Sequence, residues 1–588
     1  MRTRSWLIIL LLVWIGQCIP GLSPVQQASC CAIWLRPENL TALVVAEARR
    51  RALNPRVRSH PCARRRVGAR KSFRRSRVLP TWKEQKTPAE GAREAWNGNA
   101  FDPQRWGLTP ELSEALPDRL RGTCALYAPC FQTKTRNTSV YAYPYLSGLL
   151  RLACERNYTA IGRTASIAGE NIQHFMSNSP WRIDELLEQV QKEIGATPGL
   201  EQGGVLLLDE SADEAGKKKA GAGRQRNGRL NRVAMSQVGV FLAYANLTHP
   251  GKPLWTWVDG ELYLQEHWFT LEMADLREKA GIPADLKFES KIEKGWKMIQ
   301  RAQSRGLPFE AVAFDDLYGR STWLRDKVNG AGKLYMADVP CNTQVYLEKP
   351  VLGVPERRPG SSGPKPKRIQ VLNGIKPFAV RQVARRADTH WSRVQVRPVE
   401  RGVLNDPFAV RRVWTRREGE TEPVAEWLVI RREAGDRYNY SLSNASADTS
   451  RERLAWLKCQ RYFVERANQD SKSEVGWDEL RARKYRGWKH HLALVILATW
   501  FVAQTKWAWA QENVPDPTLA QQFAVQTLPS LSTANIRLLL RAADPLPQPT
   551  PRQAIELATG NLVNRTRSRA SRLKRQKPTL NQAANVPP

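Results

Sequence analysis

The sequence lacks the motifs of two common ways to activate water or phosphate. Its nine cysteines include no Cys-x-x-Cys pair, and no histidine stands at zinc-ligand spacing from any of them, which argues against structural and hydrolytic zinc sites. No Gly-x4-Gly-Lys-[Ser/Thr] motif occurs, since Gly216-Lys217 has neither the upstream glycine nor the following hydroxyl. A nucleotide-binding phosphate loop is therefore not expected.

Acidic residues are few beside the basic ones. Lys and Arg number 91 against 56 Asp and Glu, which gives 588 residues a net charge of +35. This excess favours a polyanionic partner, because neutralised phosphates release their counterions. Nucleic acid is the first expectation, although charge alone does not separate DNA from RNA, a membrane surface or an ordinary basic enzyme.

Long hydrophobic runs are also lacking. Leu492–Ala503 has twelve apolar or small residues, too few to cross a bilayer, and predicts a buried helix. The run Trp6–Ile15 follows two arginines and resembles a signal peptide. Two explanations fit this run: the protein is exported, or the assigned start lies upstream of the true one. The second is favoured because thirteen of the 29 residues Arg49–Arg77 are basic. Unpaired cysteines agree with a cytoplasmic protein.

The apolar patterns beyond residue 95 predict helices first and then alternating strands and helices, as in a mixed α/β layer structure. Asn227-Gly228 predicts a hairpin turn. A Pro- and Gly-rich linker near residues 349–370 precedes a strand-rich block, and a helical pattern returns near Arg451. The segment Arg565–Lys577 has seven basic residues in thirteen, which predicts a disordered phosphate-binding tail. Strands are expected at Gly204–Leu208, Gln237–Tyr244, Leu254–Tyr263, Glu310–Phe314, Leu334–Val339, Trp391–Val396, Phe408–Arg416, Trp427–Arg432 and Tyr438–Ser443.

Two aspartates stand where apolar strands are expected to end. Asp209 follows Val205-Leu-Leu-Leu, and Asp315 follows Glu310-Ala-Val-Ala-Phe. A single strand-end aspartate is more often a turn residue that bonds its own backbone. Two of them in one sheet raise the expectation of a metal site.

A third acid lies in the pattern Arg461-x3-Glu465-x6-Lys472. At about 100° per residue, Glu465 lies about 40° and Lys472 about 20° from Arg461 around a helix, so the three share one face. Taken alone, the segment is more typical of an exposed ion pair within a helix.

In this order, the motifs resemble the DDE transposases of bacterial insertion sequences, and within them the insertion-sequence seven-hundred-and-one family. The resemblance spans about residues 100–577. Its motifs are Gln173–Trp181, Leu208–Ser211, Gly221–Gly228, Trp257–Leu262, Glu266–Trp268, Asp315-x-x-Tyr318-Gly319, Tyr438–Asn444, Arg461-x3-Glu465-x6-Lys472 and Asn564–Ser568.

The resemblance implies an α/β fold with an RNase H-like catalytic core, a mixed sheet flanked by helices, with a β-rich insert before the last catalytic helix and an N-terminal helical domain. The expected segments are a leader (1–95), a helical DNA-binding domain (96–198), the first part of the core (199–348), the linker and β-rich insert (349–448), the glutamate-bearing helices of the core (449–515) and a basic C-terminal tail (516–588).

The same resemblance implies the active site. Asp209, Asp315 and Glu465 would hold Mg²⁺ or Mn²⁺, two ions in all, for cleavage at the element's ends and strand transfer into target DNA. DNA contacts are expected from Arg461, Lys472, Arg224, Arg226 and Arg229. Partners would be the terminal inverted repeats, target DNA and a second copy of the chain, in the cytoplasm of a bacterium and without a membrane.

Several alternatives stay open. Asp316 and Glu474 are second choices for Asp315 and Glu465. The wider group has Tyr three residues before the Arg, where this chain has Lys458, so a role of that tyrosine does not carry over. Other candidate functions are an RNase H-like nuclease without strand transfer, and a non-catalytic DNA-binding protein derived from a transposase.

Overall fold

The computed structural model describes residues 100–228, 230–249, 252–356, 366–399, 402–479 and 482–576. Helices come first, as the apolar pattern predicts, and they pack through apolar residues spaced three and four apart, such as Leu146, Leu149 and Leu150. These helices are α1 (Pro110–Glu114), α2 (Leu116–Leu126), α3 (Ala142–Arg151), α4 (Tyr158–Arg163), α5 (Gly169–Ser177) and α6 (Ile183–Ala196).

A mixed sheet follows. Strand β1 is antiparallel to β3, which is antiparallel to β4, while β5 is parallel to β1 and β6 is parallel to β5. The spatial order β4-β3-β1-β5-β6 agrees with the predicted RNase H-like core. The predicted turn at Asn227-Gly228 lies in a hairpin of β2 and β3, and β2 is a strand that the apolar pattern does not predict. The elements are β1 (Gly204–Glu214), β2 (Gly223–Asn227), β3 (Arg232–Asn246), β4 (Leu254–Tyr263), α7 (Ala274–Ala280), α8 (Lys291–Ser304), β5 (Ala311–Phe314), α9 (Asp316–Gly319), α10 (Thr322–Gly330) and β6 (Leu334–Val339).

In the part of the chain that the structure describes, the predicted strand-rich block extends this sheet. Its last strand, β14, pairs antiparallel with β6, and the block adds strands in the order β14-β13-β12-β11. The sheet thereby reaches ten strands. The elements are β7 (Gln344–Val345), β8 (Leu352–Gly353), β9 (Gln370–Val371), β10 (Phe378–Ala379), α11 (Val380–Val383), β11 (Ser392–Val399), β12 (Gly402–Thr415), β13 (Val424–Glu433) and β14 (Arg437–Ser443).

A buried ion cluster ties this block to the core. Glu426 of β13 is fully buried and accepts hydrogen bonds from Arg325 of α10 and Tyr335 of β6, each at 2.5 Å, and from Thr415 of β12. A second guanidinium, that of Arg417, lies 3.6 Å from the same carboxylate. Although burial opposes its charge, Arg325 and Arg417 hold the pKa of Glu426 below its ordinary value.

Three helices complete the core: α12 (Arg451–Cys459), α13 (Tyr462–Gln469) and α14 (Tyr485–Glu512). Helix α14 includes the predicted buried run and is, by length and composition, long enough to cross a membrane, but 83% of its most apolar window is buried within the protein. It packs against β4, α3, α5 and α6. One hydrophobic core therefore runs from Leu116 through the sheet to Leu540, and the N-terminal helices share it.

The C-terminal segment differs from the expected disordered tail. It forms α15 (Thr518–Gln522), α16 (Thr533–Ala543) and α17 (Pro551–Gln576). Helix α16 buries Ile536 and Leu540, which lie one turn apart, and its Arg537 forms an ion pair with Glu474. This helix is short and lies between polar stretches, so its apolar face is too small for composition to reveal.

Candidate active site

The two predicted catalytic aspartates lie side by side on neighbouring parallel strands. Leu208 of β1 pairs in register with Phe314 of β5, so Asp209 and Asp315 occupy the next positions, on strands about 4.8 Å apart. The carboxylate of Asp315 also caps α9 by accepting hydrogen bonds from the backbone N–H groups of Leu317 at 3.0 Å and Tyr318 at 3.4 Å. Asp315 follows its strand as predicted. The expected end of the first strand at Leu208 is wrong, because β1 stays paired with β3 as far as Glu214 and Asp209 lies within it.

A third aspartate, Asp338, lies at the same level of the sheet as Asp209 and Asp315, and we call these neighbouring positions the row. The sequence analysis missed Asp338. Phe314 pairs with Ala337 of β6, so Asp338 follows Asp315 in register. One oxygen of Asp338 accepts hydrogen bonds from Lys458 at 2.5 Å and from Ser441 at 2.6 Å. A signal was present, since Asp338 is the next-to-last residue of the predicted apolar strand Leu334–Val339.

The motif glycine explains how the row is assembled. Gly319 lies so close to β6 that a Cβ atom there would be 1.8 Å from the carbonyl oxygen of Asp338. A side chain at this position would push α9 away from β6. The Asp-x-x-Tyr-Gly spacing thus places the helix capped by Asp315 directly against the strand that carries Asp338.

The two predicted aspartates are poorly solvated. Burial raises the pKa of Asp209 to about 7; the nearby Arg461 guanidinium opposes this rise, and the charge of Asp315 adds to it. Burial also raises the pKa of Asp315, again against the effect of Arg461. Two carboxylates with raised pKa values in one place are typical of sites that bind a cation.

Arg461 connects the helix to the row. Its pKa is raised although burial opposes its charge, because Asp209, Asp338, Asp315 and Glu465 all lie near the guanidinium. Glu465 itself is exposed, one turn further along α13. The fold therefore brings Arg461 to the two predicted aspartates, although more than 140 residues separate them in sequence.

A comparison with known protein families agrees with this arrangement. Residues 126–402 match a family described as the DDE superfamily endonucleases. This chain carries a DDE superfamily endonuclease domain. The match includes Asp209 and Asp315 and ends before Glu465. It confirms the predicted DDE transposase type, while the resemblance to the seven-hundred-and-one family stays a prediction. None of the curated proteins matches the chain.

Enzymes of this superfamily act on DNA and generally use divalent metal ions. The side chains of the row offer only carboxylate oxygens, the ligands that Mg²⁺ and Mn²⁺ prefer. Within the described part of the DDE protein, no three His, Cys, Asp or Glu side chains are close enough together to hold a metal ion. Asp209 and Asp315 thus fit a divalent cation as a pair, and Glu465 would have to approach them to complete a group of three.

The second-choice acids have other partners. Asp316, the first residue of α9, is exposed. It forms an ion pair at 3.2 Å with Arg320, the residue that follows this helix. Glu474 lies in a π-helical turn after α13 and pairs with Arg537 of α16 at 2.5 Å. These contacts favour Asp315 and Glu465 in the DDE site.

The predicted DNA-binding residues are spread more widely. Lys472 lies in the same π-helical turn and pairs with Asp213 of β1 at 2.8 Å. Arg224 and Arg226 are exposed on β2, which pairs with the part of β3 beyond the level of Asp209. Arg229 lies outside the described residues. The DNA contacts of all four stay predictions.

Lys458, at the position of the wider group's tyrosine, has a structural partner in Asp338, and both side chains are largely buried (5% and 20% exposed). We expect Lys458→Met to lower the free energy of unfolding by about 3 kcal/mol, because it leaves a buried carboxylate without its ammonium. Asp338→Asn combined with Lys458→Met should recover most of that loss. Urea denaturation of the wild type, both single variants and the double variant measures this coupling. Equal stability of Lys458→Met and wild type would contradict the expectation.

Proposed function

We propose that this protein is a transposase that cuts DNA at the ends of its own element and joins the freed 3′ ends to target DNA. The observation that carries the proposal is the row Asp209–Asp315, with raised pKa values and with Arg461, at the start of α13, beside it. It supports a polynucleotide-cutting site, because adjacent carboxylates are the usual ligands of the ions that activate phosphodiesters.

Each residue has a distinct task in this proposal. Asp209, Asp315 and Glu465 would hold two Mg²⁺ or Mn²⁺ ions, which when bound supply activation of the attacking oxygen and stabilisation of the leaving oxygen. Arg461 offers its guanidinium to a DNA phosphate beside the acids. Lys472 offers a second positive charge, tethered by Asp213 before DNA arrives.

The remaining basic residues would position the duplex. Arg224 and Arg226 are exposed on a hairpin strand that extends past the level of Asp209, and side chains of this kind contact phosphates without reading sequence. Cutting two element ends in one reaction calls for two active sites, so we propose a homodimer on DNA.

The deciding experiment separates joining from cutting. Purified protein is incubated with Mg²⁺, a duplex that carries the DNA flanking its gene with a free 3′-hydroxyl, and a supercoiled target plasmid. We expect a covalently joined product that disappears when EDTA replaces Mg²⁺. Cutting without joining would indicate an RNase H-like nuclease, and metal-independent binding without nicking would indicate a non-catalytic DNA-binding protein; either result overturns the proposal.

A further inference from the structure

A proline-rich segment, 545–550, connects α17 to α16. Asp544, at the end of α16, pairs with Arg151 at 2.9 Å, and the same guanidinium donates a hydrogen bond to the carbonyl of Pro545 at 2.9 Å. Prolines then alternate with other residues through Pro551. Such a segment favours the polyproline II conformation, about 3.1 Å per residue, so seven residues span about 20 Å.

Helix α17 has a well-defined beginning. The backbone N–H of Gln553 donates to the Thr550 hydroxyl at 3.3 Å, and the Gln553 side chain accepts from the backbone N–H of Thr550 at 2.9 Å. Pro551 occupies the first helical position. These are the contacts of a capping box with an N1 proline, so the sequence specifies a helix start at this point.

The rest of α17 is solvated. Every described side chain from Pro551 to Leu573 is exposed, apart from the half-buried Leu557. Most helices gain their stability from packing an apolar face, and Gly560 weakens α17 because glycine is a poor helix former. A surface that supports this helix is therefore expected to come from a binding partner.

The charges of α17 indicate that partner. Arg565, Arg569 and Arg572 are spaced by four and three residues, so they lie within about 60° of one another on one face. All three are exposed. Acidic residues are absent from the sequence after Glu556. The arginine face is thus purely cationic and extends for about 10 Å at 1.5 Å per residue, the length of about three base pairs.

We infer that α17 is a DNA-binding arm whose face of Arg565, Arg569 and Arg572 contacts the phosphates of duplex DNA beyond the catalytic site. The choice of DNA as the polyanion rests on the proposed function. The proline spacer allows the arm to reach a segment of duplex about 20 Å from the body, and the width of the major groove admits an α-helix.

The test compares two variants that remove the same charge. Arg565→Gln/Arg569→Gln/Arg572→Gln changes the arm, and Gln keeps its helix propensity. Lys279→Gln/Lys349→Gln/Arg432→Gln changes three exposed residues elsewhere (75%, 62% and 46% exposed). Binding of the full chain to a 40-base-pair duplex of arbitrary sequence is measured by fluorescence anisotropy in EDTA at several salt concentrations. Vesicles of anionic lipid serve as the second probe.

We expect the arm variant to bind the duplex at least about tenfold more weakly at ~0.1 M salt, and its slope of log K against log salt to become shallower by about 2.7, since each lost phosphate contact removes about 0.9. The control variant should bind nearly as the wild type does. Equal losses in both variants, or a loss confined to the vesicles, would overturn the inference. Because the assay contains EDTA, it gives an answer even if the protein joins no DNA.

Discussion

Replacing Asp209 or Asp315 by Asn should lower Mg²⁺-dependent DNA cleavage by about 10³-fold or more. The two carboxylates lie in one register row with raised pKa values, and each Asn removes a negative charge that a divalent cation needs as its ligand. A loss of about 4 kcal/mol in transition-state stabilisation corresponds to that factor. Nicking of supercoiled plasmid, followed over time at saturating enzyme, measures the effect.

The matched control is Asp316→Asn. It removes a carboxylate that lies one residue after Asp315 and forms an exposed ion pair with Arg320. This variant should cut DNA at a rate within about threefold of the wild type.

A second pair of variants separates the two glutamates. Glu465→Gln should be inactive. Glu474→Gln should lower stability, because it removes the ion pair with Arg537, and should retain cleavage at low temperature. Wild-type cutting by Asp209→Asn, Asp315→Asn or Glu465→Gln would remove that residue from the proposed site.

Glu426→Gln should lower the free energy of unfolding by about 3–5 kcal/mol, the largest stability effect expected outside the catalytic residues. Glu426 is fully buried between Arg325 and Arg417, which are 4% and 3% exposed. The amide keeps the shape but removes the only anion that faces Arg325 in the contacts described, and an uncompensated buried charge has a cost of this size. Urea denaturation followed by tryptophan fluorescence measures it.

Glu422→Gln is the control for that variant. Its carboxylate is 83% exposed and lies 3.6 Å from Lys349, and surface pairs of this kind contribute about 0–1 kcal/mol. If Glu426→Gln and Glu422→Gln unfold at the same urea concentration, the buried cluster does not stabilise the junction between the β-rich block and the core.

Much of the fold follows from local patterns in the sequence. The apolar runs before Asp209 and Asp315 form strands as expected, although β1 continues past Asp209 to Glu214. The period of the apolar residues is a local property, and a parallel pair of such strands brings their ends together. This is why two members of the candidate site could be predicted from the apolar runs that precede them.

The contacts that complete the site are not local. Asp338 and Lys458 are 120 residues apart, and Arg325 and Glu426 are 101 residues apart. Lys458, Arg325 and Glu426 taken alone have the pattern of solvated charges, and only the folded chain brings each of them to its partner. The helix α16 was missed for a similar reason, because Arg537 meets Glu474 only in the folded chain.

The pairing of β14 with β6 also limits how this protein can change in length. Since β14 covers the outer edge of β6, a shortened chain without the β-rich block would leave the backbone groups of β6 unpaired beside Asp338, and uncovered edges of this kind promote aggregation. The block is therefore not a detachable module. Internal deletions in related gene copies are expected to destroy solubility before they destroy the catalytic residues.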